Sequence, residues 1–372
     1  MTPRGALFFL TCMMMATHTW GQERARDYGI SLGVMDPGEL NAITDVQGVK
    51  VGHVTLIEDD RIRTGVTAIL PHSDNIFQYK IPAAVYVGNG FGKLVGSSQI
   101  QELGNLESPI VLTNTLSVAA GIEGVLDYIL AMKGNEGVRS VNAVVGETND
   151  GYLNDIRARH IDRTHVLTAI ENVSEGPVEE GNVGAGTGTV CFGFKGGIGT
   201  ASRRLPASLG NYTVGVLVQT NFGGVLQIGG VPVGELLDQY SFKNQLESAD
   251  GSCMVVVATD APLDHRNLER VAKRAMMGLA RTGGIASNGS GDYVIAFSTA
   301  EEVRVPFDKS KANVPITGFL HNDDVSALFL ATIEATEEAI INSLIAADDM
   351  SGSDGHTVKA LPKEKLREIF KE

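Results

Sequence analysis

The stretch 241-SFKNQLESADGSCMVVVATD-260 changes from polar to apolar at a single Gly-Ser pair. Residues 241–250 are typical of an exposed loop, and 253–258 form a β-branched run that predicts a strand. At the junction, the hydroxyl of Ser252 can attack the carbonyl of Gly251 in an N-to-O acyl shift, because glycine permits the strained backbone that this attack needs. Cleavage would free the Ser252 amine, whose reference pKa of about 8 suits a general base for its own hydroxyl. An ordinary turn that enters a strand also explains the dipeptide.

Short apolar runs of the same kind recur outward from this junction and are mostly bounded by Gly, Asn, Asp or Pro, which predicts further strands. The predicted strands cover 49–56, 83–87, 110–112, 141–145, 213–219, 254–258 and 293–297. Helical spacing of apolar residues occurs in 118–132, 267–281 and 325–347. In the last helix, Glu334, Glu337 and Glu338 are predicted to lie on the face opposite the apolar one. This mixture of strands and helices indicates one compact domain of sheets covered by helices.

Charge and the N-terminal pattern limit the partners and the compartment. Among 372 residues, 30 are basic and 44 acidic, for a formal net charge of −14. Such a chain repels phosphate backbones and anionic membranes, so we expect no nucleic-acid partner. Arg4 precedes the apolar run 6–15, and 19–21 offers small residues for a signal peptidase. We interpret 1–21 as a signal peptide, with a buried N-terminal helix as the alternative, and expect a secreted or periplasmic protein without membrane attachment.

The usual signatures of cofactor and metal enzymes are missing. The sequence contains no HExxH, CxxC or GxSxG motif. Once Cys12 leaves with the signal peptide, Cys191 and Cys253 remain, so one disulfide is possible but not implied. The glycine-rich runs 88–93 and 184–188 resemble phosphate loops, but tight turns explain them better. We therefore expect neither a metal nor a cofactor.

Several motifs in a fixed order resemble one enzyme family. The segments are TDV (44–46), GVKVGH (48–53), NGFGK (89–93), PIVLTNT (109–115), ETNDGYLND (147–155), VGAGTGT (183–189), FKGGIGTASR (194–203), GS (251–252), ATDAPL (258–263), RTG (281–283), NGSGD (288–292) and EATEEAIIN (334–342). Together they are similar to the L-aminopeptidase/D-esterases and β-aminopeptidases typified by DmpA and BapA, which form peptidase family S58. The resemblance runs from about residue 30 to the C-terminus.

This resemblance implies an α+β fold, namely a four-layer αββα sandwich similar to N-terminal-nucleophile hydrolases and shared with ornithine acetyltransferases. It also implies self-cleavage into two chains that stay together in one catalytic domain. Here they would be a large chain of residues 22–251 and a small chain of residues 252–372. A tetramer of such two-chain units is implied as well.

The resemblance also implies roles for individual residues. Ser252 is the nucleophile, and Ser290 and Asp292 support it by hydrogen bonding and proton handling. Asn221 donates to the oxyanion, a contact whose loss typically lowers the rate about 100- to 1,000-fold. The remaining two assignments concern substrate binding: Glu147 would hold the substrate ammonium and Asn114 would line the pocket. Without the resemblance, these residues have ordinary explanations that serve equally well. Ser290 and Asp292 would form a glycine-rich turn, Glu147 would make a surface ion pair, and Asn221 would hydrogen-bond a loop.

The implied reaction is hydrolysis of an N-terminal amino-acid amide, ester or short peptide through an acyl-enzyme on Ser252. The alternatives are acyl transfer of the ornithine acetyltransferase type and a processed scaffold that only binds ligands. Serine in place of that branch's threonine, together with a signal peptide, argues against the first. The sequence departs from the family pattern at Cys253, Gly146 and 118–121, close to the expected pocket. These departures leave the choice among α-amino, β-amino and D-amino substrates open.

Overall fold

The computed structural model describes residues 22–243, 251–308, 310 and 318–371. The predicted signal peptide, 1–21, and residues 244–250 of the predicted loop lie outside the described residues.

Sixteen strands and seven α-helices occur in the described part of the chain. The strands are β1 (Lys50–Glu58), β2 (Ile62–Leu70), β3 (Tyr79–Gly90), β4 (Leu94–Val95), β5 (Asn105–Leu106), β6 (Ile110–Asn114), β7 (Val144–Thr148), β8 (Val190–Cys191), β9 (Phe194–Lys195), β10 (Ile198–Arg204), β11 (Thr213–Asn221), β12 (Ser252–Thr259), β13 (Gly291–Ser298), β14 (Val305–Pro306), β15 (Met350–Ser351) and β16 (Thr357–Val358). The helices are α1 (Ser97–Leu103), α2 (Val118–Ala131), α3 (Arg163–Glu171), α4 (Val233–Leu236), α5 (His265–Arg281), α6 (Ser326–Ile345) and α7 (Lys363–Ile369). None of the helices described is both long and apolar enough to cross a membrane.

Two large sheets organise the molecule. The first has the strand order β1-β2-β6-β7-β4, and the second has the order β10-β11-β12-β13-β3-β14, with β5 also paired to β3. Most neighbours are antiparallel, but β6 pairs with β7 and β12 pairs with β13 in parallel. A parallel pair needs a crossover connection, and a helix supplies it in each case: α2 lies between β6 and β7, and α5 between β12 and β13.

Side chains along the strands of the second sheet point alternately to its two faces, and each face packs against a different layer of the fold. Met254, Val256 and Ala258 of β12 belong to the core that also contains side chains of the first sheet and of α2 and α3. Val255 and Val257 point the opposite way, into the core formed with α5 and α6. Side chains of a strand alternate between its faces, so a strand apolar at every position is covered on both sides. The predicted four-layer αββα sandwich is therefore confirmed.

The polar face predicted for α6 is buried. Glu334 and Glu338 are almost fully inaccessible, because the N-terminal segment and β10 cover that side of the helix. The guanidinium of Arg203 lies 2.6 Å from Oε2 of Glu338, and that of Arg26 lies 2.8 Å from Oε1. Burial alone would raise the pKa of Glu338, but the hydrogen bond from Arg26 and the charge of Arg203 lower it overall. The buried Arg203 and the partly exposed Arg26 thus neutralise the carboxylates, and Arg26 fastens the N-terminal segment to the sandwich.

The substitution Arg203→Met is expected to destabilise the protein by about 3–5 kcal/mol, because it leaves two buried carboxylates short of a partner. The side chain of its neighbour Arg204 is exposed, and its Nε donates to Oδ1 of Asn211 at 3.2 Å. Arg204→Met should therefore change stability by no more than about 0.5 kcal/mol. Urea unfolding followed by circular dichroism measures both, and equal losses would show that the buried cluster contributes no more than the surface contact.

Candidate active site

Three strand ends place four of the predicted site residues together. Ser252 begins β12, and it is paired with Asn221 at the end of β11 and with Gly291 at the start of β13. Ser290 and Asp292 flank Gly291 in the chain. The register therefore brings hydroxyl, amide and carboxyl groups to one end of the second sheet, as the resemblance implied.

The bond between Gly251 and Ser252 is held in a close hydrogen-bonded arrangement. The hydroxyl of Ser252 donates to the Gly251 carbonyl oxygen at 2.7 Å. The backbone N–H of Gly291 also donates to this carbonyl, at 3.2 Å, and to the Ser252 Oγ, at 3.2 Å. A Cβ at position 251 would lie 2.5 Å from the Cα of Phe222, so only glycine can occupy that position without a shift of backbone. The hydroxyl and one backbone donor thus converge on the carbonyl that precedes Ser252.

A buried carboxyl group lies beside this arrangement. The Ser290 hydroxyl donates to Oδ1 of Asp292 at 2.8 Å, and Oδ2 is buried with no hydrogen-bond partner among the residues that the structure describes. Burial raises the pKa of Asp292 to about 6, although the bond from Ser290 opposes the shift. A carboxylate with that pKa is mostly ionised at neutral pH and can still accept a proton, which is the property a general base needs.

Asn221 is oriented by a single backbone contact. Its Oδ1 accepts a hydrogen bond from the N–H of Val190 at 3.0 Å. This contact leaves the Nδ2 protons as the donors of the side chain. Asn221 lies beside Ser252 in the sheet and lines the same cavity, so a donor to a developing oxyanion can come from this position.

The cavity has a volume of about 810 Å³. Ser252, Asn221 and Glu147 all contribute to its wall. Aromatic side chains form much of the remaining wall; these are Phe91, Tyr152, Phe192, Phe194, Phe222 and Tyr240. Polar side chains, among them Thr115, Asn149 and Gln239, lie between the aromatic ones, so the cavity offers a small molecule both apolar and hydrogen-bonding contacts.

Glu147 is buried at the cavity wall. Its Oε1 accepts the backbone N–H of Lys93 at 2.9 Å, and its Oε2 accepts the Thr115 hydroxyl. The Lys93 ammonium lies 3.5 Å from Oε1. A buried carboxylate that faces a cavity has the charge required to bind an ammonium group.

Asn114 does not reach the cavity. Its Nδ2 donates to Thr64 at 2.8 Å, and its Oδ1 accepts the N–H of Leu116 at 3.1 Å. Both ends of the buried amide are therefore occupied, and the next residue, Thr115, lines the cavity instead. Sequence analysis did not single out Thr115, Lys93 or Gly291, although all three lie inside the motifs that carry the resemblance.

Both remaining cysteines are buried and unbonded, so the possible disulfide is not formed. Burial raises the pKa of Cys191 to about 12, which makes its thiol a poor nucleophile. Among the residues that the structure covers, no three His, Cys, Asp or Glu side chains are grouped so as to hold a metal ion.

Comparison with known proteins gives consistent results. Residues 41–358 match the sequence profile of peptidase family S58. The β-peptidyl aminopeptidase BapA of Sphingosinicella microcystinivorans is 42% identical, over 94% of this chain and 92% of the relative.

Two solved structures share the fold over 93% of this chain. A β-aminopeptidase from a Burkholderia species has a TM-score of 0.85 and 42% identity, with 98% of its own chain covered. The L-aminopeptidase D-Ala-esterase/amidase of Ochrobactrum anthropi, described as a variant of the Ntn hydrolase fold, has a TM-score of 0.84 and 39% identity, with 97% covered.

The buried carboxyl group predicts the acid side of the pH profile. If Asp292 must be ionised, its protonation should lower kcat/KM by a further factor of about ten per pH unit below its pKa of about 6, in addition to the fall caused by protonation of the Ser252 amine, whose reference pKa is about 8. Ser290→Ala removes the hydrogen bond that favours the carboxylate, so the pKa of Asp292 should rise and the acid limb should move to higher pH. Initial rates on an amino-acid p-nitroanilide, normalised to each variant's maximum, measure this.

Ser298 offers a matched control, because it is a buried serine of β13 bonded to Ala261 outside the cavity. Ser298→Ala should leave the acid limb in place. An unmoved limb in Ser290→Ala would mean that another group controls the acid side.

Proposed function

The chain belongs to peptidase family S58 and is an aminopeptidase, and we propose that Ser252 first cleaves the bond before it and then acts as the nucleophile on substrates. The observation that carries this proposal is the hydroxyl of Ser252 bonded at 2.7 Å to the carbonyl oxygen of Gly251, with the Gly291 N–H on the same oxygen. The substrates are N-terminal amino-acid amides, esters or short peptides with a free α- or β-amino group.

Self-cleavage proceeds in two steps. The Oγ of Ser252 attacks the Gly251 carbonyl carbon, and its proton passes to a nearby base, for which the ionised Asp292 is the candidate. The Gly291 N–H stabilises the oxyanion; the C–N bond then breaks, the Ser252 nitrogen takes up a proton, and an ester joins Gly251 to the Oγ. Water hydrolyses this ester, leaving a carboxylate on Gly251 and a free amine and hydroxyl on Ser252.

Turnover repeats this chemistry on a substrate. The free amine of Ser252 accepts the proton of its own hydroxyl as the Oγ attacks the substrate carbonyl. Asn221 donates its Nδ2 to the oxyanion, and the leaving amine or alcohol departs with a proton. Water then hydrolyses the acyl-enzyme, which releases the amino acid and restores the hydroxyl. Ser290 and Asp292 hold and exchange protons beside the nucleophile.

Recognition of the free amino group is assigned to Glu147. Its side chain is only 2% exposed, so its negative charge is poorly solvated and favours a cationic partner. It faces the cavity that contains Ser252. An ammonium bound there would fix the N-terminal residue of a substrate and leave the following carbonyl for attack.

Export and assembly complete the proposal. Removal of 1–21 would give a secreted or periplasmic enzyme with chains of 230 and 121 residues, 22–251 and 252–372. The two chains would remain together, because β12 of the small chain lies between β11 of the large chain and β13 in one sheet. A tetramer of these pairs is the proposed assembly, and no metal or cofactor takes part.

Ser252→Ala is expected to yield one uncut chain, because it removes the attacking hydroxyl. The unaltered protein should give two bands on a denaturing gel, with the smaller band beginning Ser-Cys-Met-Val on N-terminal sequencing. Ser298→Ala, which leaves the junction intact, should also give two bands. Cleavage at the same bond in Ser252→Ala would exclude this route.

Glu147→Gln is expected to lower kcat/KM for substrates with a free amine by about 100-fold, the loss typical when one partner of a buried charge pair is removed. Residual activity on the N-acetylated substrates should change far less, since these carry no ammonium. Parallel assays of an amino-acid p-nitroanilide and its N-acetyl derivative measure the difference. Equal losses on both would reject the ammonium role.

A further inference from the structure

The cavity contains a cation of the protein at the place assigned to the substrate ammonium. Lys93 Nζ lies 3.5 Å from Oε1 of Glu147, and the backbone N–H of the same lysine donates to the same oxygen at 2.9 Å. Thr115 donates to the other oxygen. A carboxylate offers about four acceptor positions, so these contacts already occupy most of its capacity.

The two partners of this ion pair differ in their contact with solvent. The Lys93 side chain is 54% exposed, whereas the Glu147 side chain is 2% exposed. The carboxylate must therefore keep a cation or strong donors beside it, while the lysine can move into water with little loss. Because water can solvate the half-exposed ammonium of Lys93, a second cation can displace it from the carboxylate.

The backbone holds the lysine at this position whether or not its ammonium is paired. Position 92 is glycine, and a Cβ there would lie 3.1 Å from Oε1 of Glu147. The Gly92 carbonyl accepts the Tyr293 hydroxyl at 2.7 Å, which ties the loop to β13. The flexible part of Lys93 is thus its side chain alone.

We propose that Lys93 is an internal competitor for the ammonium site, occupying Glu147 in the empty enzyme and leaving it when the substrate amine binds. This inference rests on the ammonium role proposed for Glu147. The lysine neutralises the buried carboxylate between turnovers, and it weakens the binding of every substrate by the free energy needed to displace it. Lys93 therefore acts as a specificity-determining residue, because a primary amine binds only if its interaction with Glu147 outweighs that of the lysine.

Propylamine is a suitable probe, because at neutral pH it offers an ammonium and an alkyl chain but no carbonyl to attack. Its inhibition constant is measured against an amino-acid p-nitroanilide with the processed enzyme. Lys93→Met should lower this constant about two- to fivefold, as expected for loss of a partly exposed competitor. Lys93→Gln, the second neutral variant, should lower the inhibition constant of propylamine to a similar extent. Lys93→Arg, which keeps the charge, should have an inhibition constant close to that of the unaltered enzyme.

Lys359 provides the matched control. It also lines the cavity, but its ammonium pairs with Asp349 at 2.7 Å, and that pair is exposed. Lys359→Met removes the same charge from the same cavity without changing a contact of Glu147. The inhibition constant of propylamine for this variant should therefore equal that for the unaltered enzyme. An equal fall in both methionine variants would assign the effect to general electrostatics and overturn the proposal, as would an unchanged or higher constant in Lys93→Met.

Glu147→Gln separates the two levels of the argument. If this variant binds propylamine as well as the unaltered enzyme does, the ammonium role fails and the proposal for Lys93 fails with it. If Glu147→Gln loses propylamine binding while Lys93→Met gains none, the ammonium role stands and only the competitor proposal is wrong.

Discussion

The parallel pairing of β12 with β13 is the constraint on which the site depends. It places Ser252 opposite Gly291, so that one backbone N–H reaches both the Gly251 carbonyl and the Ser252 hydroxyl. A shift of one residue would turn Ser252 to the other face of the sheet and remove this convergence. The register is held in turn by the two apolar faces of β12, which pack into different cores. Chemistry at the strand end therefore depends on packing along the whole strand.

A contact between two glycines connects Ser252, the proposed nucleophile, to Glu147, the proposed ammonium site. A Cβ on Gly291 would lie 2.7 Å from both the N and the Cα of Gly92, so the two backbones touch directly. Gly92 precedes Lys93, whose N–H binds Glu147. The spacing between the segment that binds Glu147 and the segment that begins at Ser252 is thus set by a backbone contact, which does not change with rotamer. Such fixed spacing is what positions a substrate carbonyl for attack.

Sequence patterns predicted seven of the sixteen strands and three of the seven α-helices that the structure describes, and the omissions have physical causes. Each of the seven predicted strands and three predicted helices overlaps an element of the structure, because their apolar residues are buried, although the strand predicted at 141–145 lies at Val144–Thr148. The strand β10 was missed because its sequence, IGTASRR, carries polar side chains that are buried against charged residues of α6. The same pairing explains why Glu334 and Glu338 were predicted to lie on a polar face. The helical pattern shows only that these positions are polar, and it does not show that Arg203, far away in the chain, packs over them.

The candidate site was predictable to a different degree at each residue. Ser252, Asn221, Ser290 and Asp292 lie in motifs whose strand ends meet, so the resemblance sufficed to bring them together. Asn114 and Thr115 are adjacent in the chain, and only the turn after β6 decides which of them faces the cavity. The pairing of Lys93 with Glu147 joins residues 54 positions apart, and under the proposed role of Glu147 it would give the carboxylate two states, one with an internal cation and one with a substrate cation. The sequence alone does not reveal this pairing, because Lys93 and Glu147 each have an ordinary explanation there. The two residues meet only where the glycine-rich loop 88–93 folds over the buried carboxylate.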